Sequence, residues 1–587
     1  MQEFTLMKKR LFIAPFNILI ILLGIIASCS DDKDTILEGN GLKEKSWSTD
    51  KTYSISEGQT LKFTFNARSS WTANSNSTTF LTLSANSGNS GENTLEITAN
   101  KSSQQQGTVT IKVNGYSAET YINLKLSSNT EHEDNEVNYA VDEYLKKMYL
   151  WNDDYKKLTP DFTLSYDKFL ENTLMSMTTN TLDKKVYINN SGQSYYALFS
   201  FIQKLDPDLQ PTRSSNTIEK KVLQYNFGFI DMLPVAYRGT SNSTYIFLAV
   251  QGVHPGSSAH QAGIKRGTKI TQINGQRLTE NNWFDYYYNL RIPTSSISLE
   301  VKDYEGKTYN INSGPIYPNP VILSQVKQIG LHKIGYLAYS AFEAGFDQEL
   351  FDTFKNFHNQ SITDLILDLR YNGGGHVISA NLMASCIAGE ACAGKTFASY
   401  RYNNSRMEAL GNQRPTEQFA YSKYANLNNT SLAAGALNLP TVYCLVSNNT
   451  ASSSELVINS LKGIGIDVKL IGMTTHGKNV GMEGITINTA AAKYELYPIT
   501  FQSYNAKGNG DYANGFQPEY IIDEDAPNGN NMFEGYGDFG TSEDPLYAIA
   551  ESLITGTNLI KSTTRSINKV VGKPLKKPEV KHIGMIK

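Results

Sequence analysis

The sequence predicts a multidomain chain: an N-terminal all-β sandwich, a helical segment, an α+β module and an α/β domain. Three patterns predict it. From Trp47 to about Leu126, short runs alternate apolar and polar residues between Ser, Asn and Gly turns, as in Leu61 to Phe65 and Thr108 to Val113. From Val137 to Leu150 the spacing becomes helical, with Val141, Tyr144, Leu145 and Tyr149 on one face. From Asp364 onward, apolar runs of strand length end in glycine or polar turns and give way to helical stretches.

A chain of 587 residues has room for roughly three to five domains. With 40% hydrophobic and 19% charged residues it has an ordinary globular balance, and a net charge of −3 leaves no nucleic-acid footprint. The chain shows neither internal repeats nor a nucleotide-binding loop.

Residues 1–28 read as a signal peptide. Lys8, Lys9 and Arg10 precede an apolar run from Leu11 to Ile26 that Pro15 and Asn17 interrupt, too short and broken for a membrane span. Met7, directly before the basic residues, is an alternative start. The run ends Ile25-Ile26-Ala27-Ser28-Cys29, which resembles a bacterial lipobox and implies lipidation of Cys29, followed by a tether over residues 29–46. Ser30-Asp31-Asp32-Lys33-Asp34 resembles the export signal of Bacteroidetes-type surface lipoproteins. The implied location is the outer membrane, on its periplasmic face or the cell surface. Of the remaining cysteines, Cys386 and Cys392 are close enough in sequence to pair, Cys444 lies in a predicted core strand, and no spacing suggests a metal site.

The sandwich spans residues 47–127. Trp71, the turns Ser87-Gly88 and Ser90-Gly91, and Gly107-Thr108-Val109 resemble the small immunoglobulin-like (BACON-like) modules of Bacteroidetes surface proteins, as a spacer or a glycan-binding unit. An acidic linker, Glu131 to Glu136, leads into the helical segment, residues 134–222, with a further helix over Tyr166 to Met177. Residues 223–312 form the α+β module. Pro255-Gly256-Ser257-Ser258-Ala259, Ala262 to Gly267 and Ile270 to Gly275 resemble a PDZ domain of the bacterial protease type, and Phe227-Gly228-Phe229 matches its carboxylate-binding loop. Such a module captures a free C-terminus and adds the peptide to an edge strand. The bland alternative is a glycine-rich turn in an ordinary sheet.

Residues 317–560 carry the chemistry. Asp364 to Gly375 is an apolar strand ending in three glycines, Thr441 to Ser447 is a buried strand, Glu455 to Leu461 has helical spacing, and Val468 to Gly472 is a further strand. Between them lies Thr450-Ala451-Ser452-Ser453-Ser454-Glu455, and 26 residues after Ser452 comes Lys478 in Thr474-Thr475-His476-Gly477-Lys478. A serine hydroxyl needs a base to become nucleophilic, and a lysine serves if burial lowers its pKa. Amides near Gly374 and at Ser453 complete an oxyanion hole. Ser454 is the second candidate nucleophile, His476 an alternative base with Asp368 as its orienter, and His376 no better a base than His476. Asp368 and Arg370 also suit an ion pair that holds the glycine loop. Tyr494 to Tyr504 is strand-like, Gly508 to Pro518 a loop, and Asp544-Pro545-Leu546 opens a last helix through Ile554. Residues 561–587 read as a basic, poorly structured tail.

Leu367-Asp368-Leu369-Arg370 through Gly375, Thr450 to Glu455, and Gly472 to Lys478 together resemble the C-terminal processing (tail-specific) serine peptidases, in that family's order. The resemblance implies a Ser-Lys dyad of Ser452 and Lys478, an α/β catalytic domain, no cofactor, and protein or peptide substrates with a free C-terminus. Trp151-Asn152-Asp153-Asp154 resembles the helical segment before the PDZ domain in this group. Many family members have a glutamine four residues after the lysine, where this chain has Met482. A catalytically silent, PDZ-bearing adhesion or glycan-binding lipoprotein is the alternative from another class.

Overall fold

Alternating apolar residues close the N-terminal unit into two facing sheets. The computed structural model describes residues 39–586 apart from 56–57, 59, 103, 105, 127–128, 189–193, 206–223, 239–242, 490–491, 528–531, 558–571 and 576–584. Cys29 and the signal and lipobox readings lie outside the described residues. The chain divides into two units, one up to Thr130 and one from Glu131. In the first, one sheet runs Leu42–Lys45, Thr60–Ala67, Gly91–Ala99, Leu81–Leu83, and the other Thr52–Ile55, Glu119–Leu126, Gln106–Val113, Trp71–Ser75, Ser87–Gly88. Every second side chain is buried, as in Phe63, Phe65, Leu95, Ile97, Val109 and Ile111. Trp47 and Trp71 meet Phe65 edge-on, with ring centres 5.8 and 5.0 Å away.

The acidic stretch expected as a linker is instead the opening of the helix Asn129–Met148. Val137, Val141 and Leu145 of that helix, and Tyr149 just after it, are buried with Leu170 and Leu174 of the helix Tyr166–Ser176 and with Val480, Met482 and Leu496 far downstream. The segment expected to be helical also contains strands. Lys184–Ile188 and Ser194–Leu198 form a hairpin, and Phe201–Lys204 pairs with Lys493–Tyr497. Tyrosine and β-branched residues in these runs favour extended chain, which outweighs the helical context.

The α+β module has an antiparallel sheet in the order Thr308–Asn312, Ser298–Asp303, Lys269–Ile273, Thr244–Val253, Phe229–Arg238, with the helices Ser258–Gln261 and Trp283–Arg291. A further strand, Lys573–Pro574, comes from the tail. Met585–Ile586 pairs with Val480–Met482. The expectation of an unstructured tail fails at these two places.

The α/β domain centres on a sheet in the order Val321–Ile329, His332–Tyr339, Asp364–Asp368, Thr441–Val446, Asp467–Gly472, Tyr520–Ile521, parallel from the second strand on. Leu350, Phe354, Leu382, Leu456 and Leu461, from the helices Asp347–Asn359, Val377–Ala388 and Ser453–Gly463, share one core with Leu337, Leu365 and Leu367 of the strands. Leu546, Tyr547 and Ala550 of the helix Pro545–Thr555 join Tyr336, Ile366 and Leu445 in a second core. The carboxyl ends of three adjacent strands therefore deliver 369–375, 447–452 and 473–478 to one edge, where open parallel sheets place their sites. Cys386, Cys392 and Cys444 are buried free thiols, so the possible Cys386–Cys392 pairing is not made. Among the described residues no helix is long and apolar enough to cross a membrane.

Candidate active site

Hydroxyls in the serine turn hold the glycine loop, and all but one of them are committed to it. Thr450 Oγ1 donates to Leu369 O at 2.7 Å, Ser453 Oγ to Gly375 O at 2.7 Å, Ser454 Oγ to Asn372 O at 3.0 Å, and Ser447 Oγ to Arg370 O. Ser452 is different. Its Oγ is buried without a hydrogen-bond partner, and its backbone, at φ 59° and ψ −110°, lies in a region that costs an L-residue roughly 1–3 kcal/mol. Of the two candidate hydroxyls, that of Ser454 is engaged and that of Ser452 is not.

Gly374 lies against Ser452. At φ +110° it adopts a conformation open to glycine, and a Cβ there would sit 2.8 Å from Ser452 Cβ and 3.1 Å from Ser453 N. Its own N–H donates to Asn372 Oδ1 at 2.9 Å.

Lys478 is also fully buried, and its Nζ has no hydrogen-bond partner. The ring centre of Phe199 is 4.6 Å from that nitrogen. Burial brings the amine down to about 7, against the pull of the Asp183 and Glu455 carboxylates toward the ammonium form. Asp183 is buried and accepts from Tyr149 Oη at 2.6 Å, Ser200 N at 2.8 Å and Ser200 Oγ at 2.7 Å; burial nevertheless pushes its carboxyl up.

One carboxylate joins the two loops. Glu455 Oε2 accepts from Ser452 N at 2.9 Å and from Lys478 N at 2.8 Å, while Oε1 accepts from Gly477 N at 2.7 Å and Thr475 Oγ1 at 2.6 Å. Four donors require an ionised acceptor. Burial pushes the Glu455 carboxyl up, and these bonds pull it back. Replacing Glu455 with Gln turns one acceptor into a donor facing donors. Unfolding in urea should show a loss of about 2 kcal/mol. Unchanged stability would contradict this.

His476 stands to one side. Its Nδ1 lies 3.2 Å from Asn448 O and its Nε2 3.4 Å from Tyr187 Oη, and Phe199 flanks its ring. Asp368 does not orient it. That carboxylate accepts from Tyr336 Oη at 2.7 Å and from Arg370 Nη2 at 2.6 Å. Arg370, fully buried, also reaches Asp544 Oδ2 at 2.6 Å and Glu524 Oε2 at 2.7 Å. Arg266 of the α+β module joins the cluster, donating to Glu524 Oε2 at 2.9 Å and to Tyr371 Oη at 2.6 Å. His376 Nδ1 lies 3.1 Å from Phe342 O.

Met482 is buried in the apolar core shared with the helical segment. Phe227 and Phe229 are buried in the core of their own module, and Gly228 N donates to Asn226 Oδ1 at 2.5 Å. Sequence reasoning missed Asp183, Phe199 and Arg266. It missed the role of Glu455 too, although the Ser-x-x-Glu capping-box spacing could have found it.

Residues 333–522 match the model described as peptidase family S41. That stretch resembles the S41 peptidases. Two relatives from Bacillus subtilis (strain 168) resemble the chain. The carboxy-terminal processing protease CtpA is 24% identical over 247 residues, 41% of this chain and 47% of that protein. The carboxy-terminal processing protease CtpB is 22% identical over 271 residues, 45% of this chain and 50% of that protein. The chain therefore spans about half the length of these relatives. The crystal structure of a putative S41 protease from Bacteroides fragilis NCTC 9343 is 25% identical, with a TM-score of 0.54, covering 71% of this chain and 98% of that one. The S41 match takes in the glycine loop, the serine turn and Lys478 together.

Proposed function

We propose that the chain is a serine endopeptidase of the C-terminal processing type, working through Ser452 and Lys478. The observation that carries this reading is that Ser452 Oγ and Lys478 Nζ are both buried and unpartnered while one Glu455 oxygen binds both of their backbones. Neutral Lys478 takes the proton of Ser452 as its oxygen attacks the scissile carbonyl. The amides of Ser453 and Gly375 hold the oxyanion, in place of the Gly374 amide expected from sequence, whose N–H is committed to Asn372 Oδ1. The lysine, now an ammonium facing Asp183 and Glu455, gives its proton to the leaving amine, and water then hydrolyses the acyl-enzyme. Asp183 takes the electrostatic role that Met482 cannot.

The α+β module is a PDZ domain that selects proteins and peptides with a free C-terminus, and Arg266 ties it to the glycine loop through Glu524 and Arg370. The sandwich is an immunoglobulin-like spacer, and lipid on Cys29 anchors the protein in the outer membrane. A serine-directed acylating probe tests the chemistry. Mass spectrometry should place the adduct on Ser452, and labelling equal in the Ser452→Ala form would support the silent scaffold instead. Amidating a substrate's C-terminus tests selection; kcat/KM should fall at least about tenfold, and an unchanged value would end that part of the proposal.

A further inference from the structure

The tail fills two edges that an extended peptide would use. In the α+β module, Phe229–Arg238 pairs on one side with Thr244–Val253. On its other side Ala236 faces Lys573 and Val235 faces Pro574, antiparallel, and Leu575 N donates to Pro234 O at 2.9 Å. From Lys573 to Leu575 the tail runs toward Phe229, in the direction a peptide takes when its end points at the Phe227-Gly228-Phe229 loop. Leu575 packs against the core that contains Phe229, Met232, Trp283, Tyr287 and Leu290. Further along, Met585–Ile586 pairs in parallel with Gly481 and Met482, just beyond Lys478.

We propose that this tail is an intramolecular ligand, a built-in competitor that occupies the module's peptide edge and the strand beside the lysine until an incoming peptide displaces it. Both pairings are short. Lys573 is exposed, Pro574 lacks an N–H to donate, and Leu575 is only partly buried, so each contact is weak alone. Tethering compensates, because a segment of the same chain acts at an effective concentration on the order of millimolar. Extended segments added to sheet edges are a common mode of peptide recognition. The edge also fits this backbone closely: a Cβ on Gly572 would lie 2.5 Å from Val235 Cγ1 and 2.7 Å from Ala236 O.

The consequence for catalysis rests on the peptidase reading; the occupancy does not. A labelled synthetic peptide of residues 571–587 is titrated by fluorescence anisotropy into the full chain carrying Ser452→Ala, alone and with Leu575→Asp or Gly572→Val. The first tail change removes the anchor, and the second removes the fit without removing an apolar contact. Each should let the free peptide bind at least about tenfold more tightly than the unaltered tail allows. The same changes in the chain with Ser452 intact should raise kcat/KM on a peptide substrate at least about tenfold. Tighter binding with no hydrolysis in any form would uphold the tail assignment and remove the peptidase reading. Hydrolysis with no gain in binding from either change would overturn the tail assignment and make these strands a fixed part of the fold.

Discussion

Alanine in place of Ser452 is expected to leave less than about a thousandth of the peptidase rate, because the proposed nucleophile and its base act as a unit. Lys478→Ala should lose about 10² to 10⁴-fold, the span of general-base catalysis. The pH profile identifies the base. Burial holds the folded amine at about 7, and only the neutral form accepts a proton, so kcat/KM should climb tenfold per pH unit up to about 7 and level off above it. Lys478→Arg keeps the charge but cannot act as a base, and should resemble the alanine form. If Lys478→Ala keeps the rise near neutrality and His476→Ala abolishes it, the base is His476.

Arg370→Met should cost about 3–5 kcal/mol, since it leaves Asp368, Asp544 and Glu524 around a buried site stripped of its central cation. Unfolding in urea measures it, and a loss under about 1 kcal/mol would mean that water or Arg266 compensates. Burial alone would push the Glu524 carboxyl up, but Arg370 and Arg266 bring it down to about 2. A depressed carboxyl stabilises the fold fully above its unfolded value near 4.5, and that stability drains away as pH falls toward 2. The native chain should lose stability through that acidic window more steeply than Arg370→Met does. Arg370 O accepts from Ser447, so activity should fall with the loop's order.

The positions of Ser452, Ser453, Gly374 and Lys478 at one edge of the sheet were legible because each lies past the end of an apolar strand, where a short motif fixes both conformation and position. The ion pair of Asp368 with Arg370 was legible for the same reason. Asp183 and Phe199 were not, because the pairing of Phe201–Lys204 with Lys493–Tyr497, a contact between distant stretches, brings them to the lysine. Nothing local marks a lone aspartate as the neighbour of a buried amine. Met482 looked like a missing hydrogen-bonding group, and packing shows it as a core residue shared with the helical segment. The tail concealed its strands because a basic, proline-containing stretch has no alternation to read. Its edges were supplied by the rest of the chain.

Glu455 has a consequence for how the proposed activity can be turned off. Ser452, Gly477 and Lys478 all give their amide protons to that one carboxylate. Drawing the serine turn away from the lysine loop would strand a buried anion and several amides at once, so the machinery should stay assembled whether or not it is working. Control must then fall on admission: what reaches the cleft, and in what order, sets the rate, while the parts that cut bonds stand ready throughout.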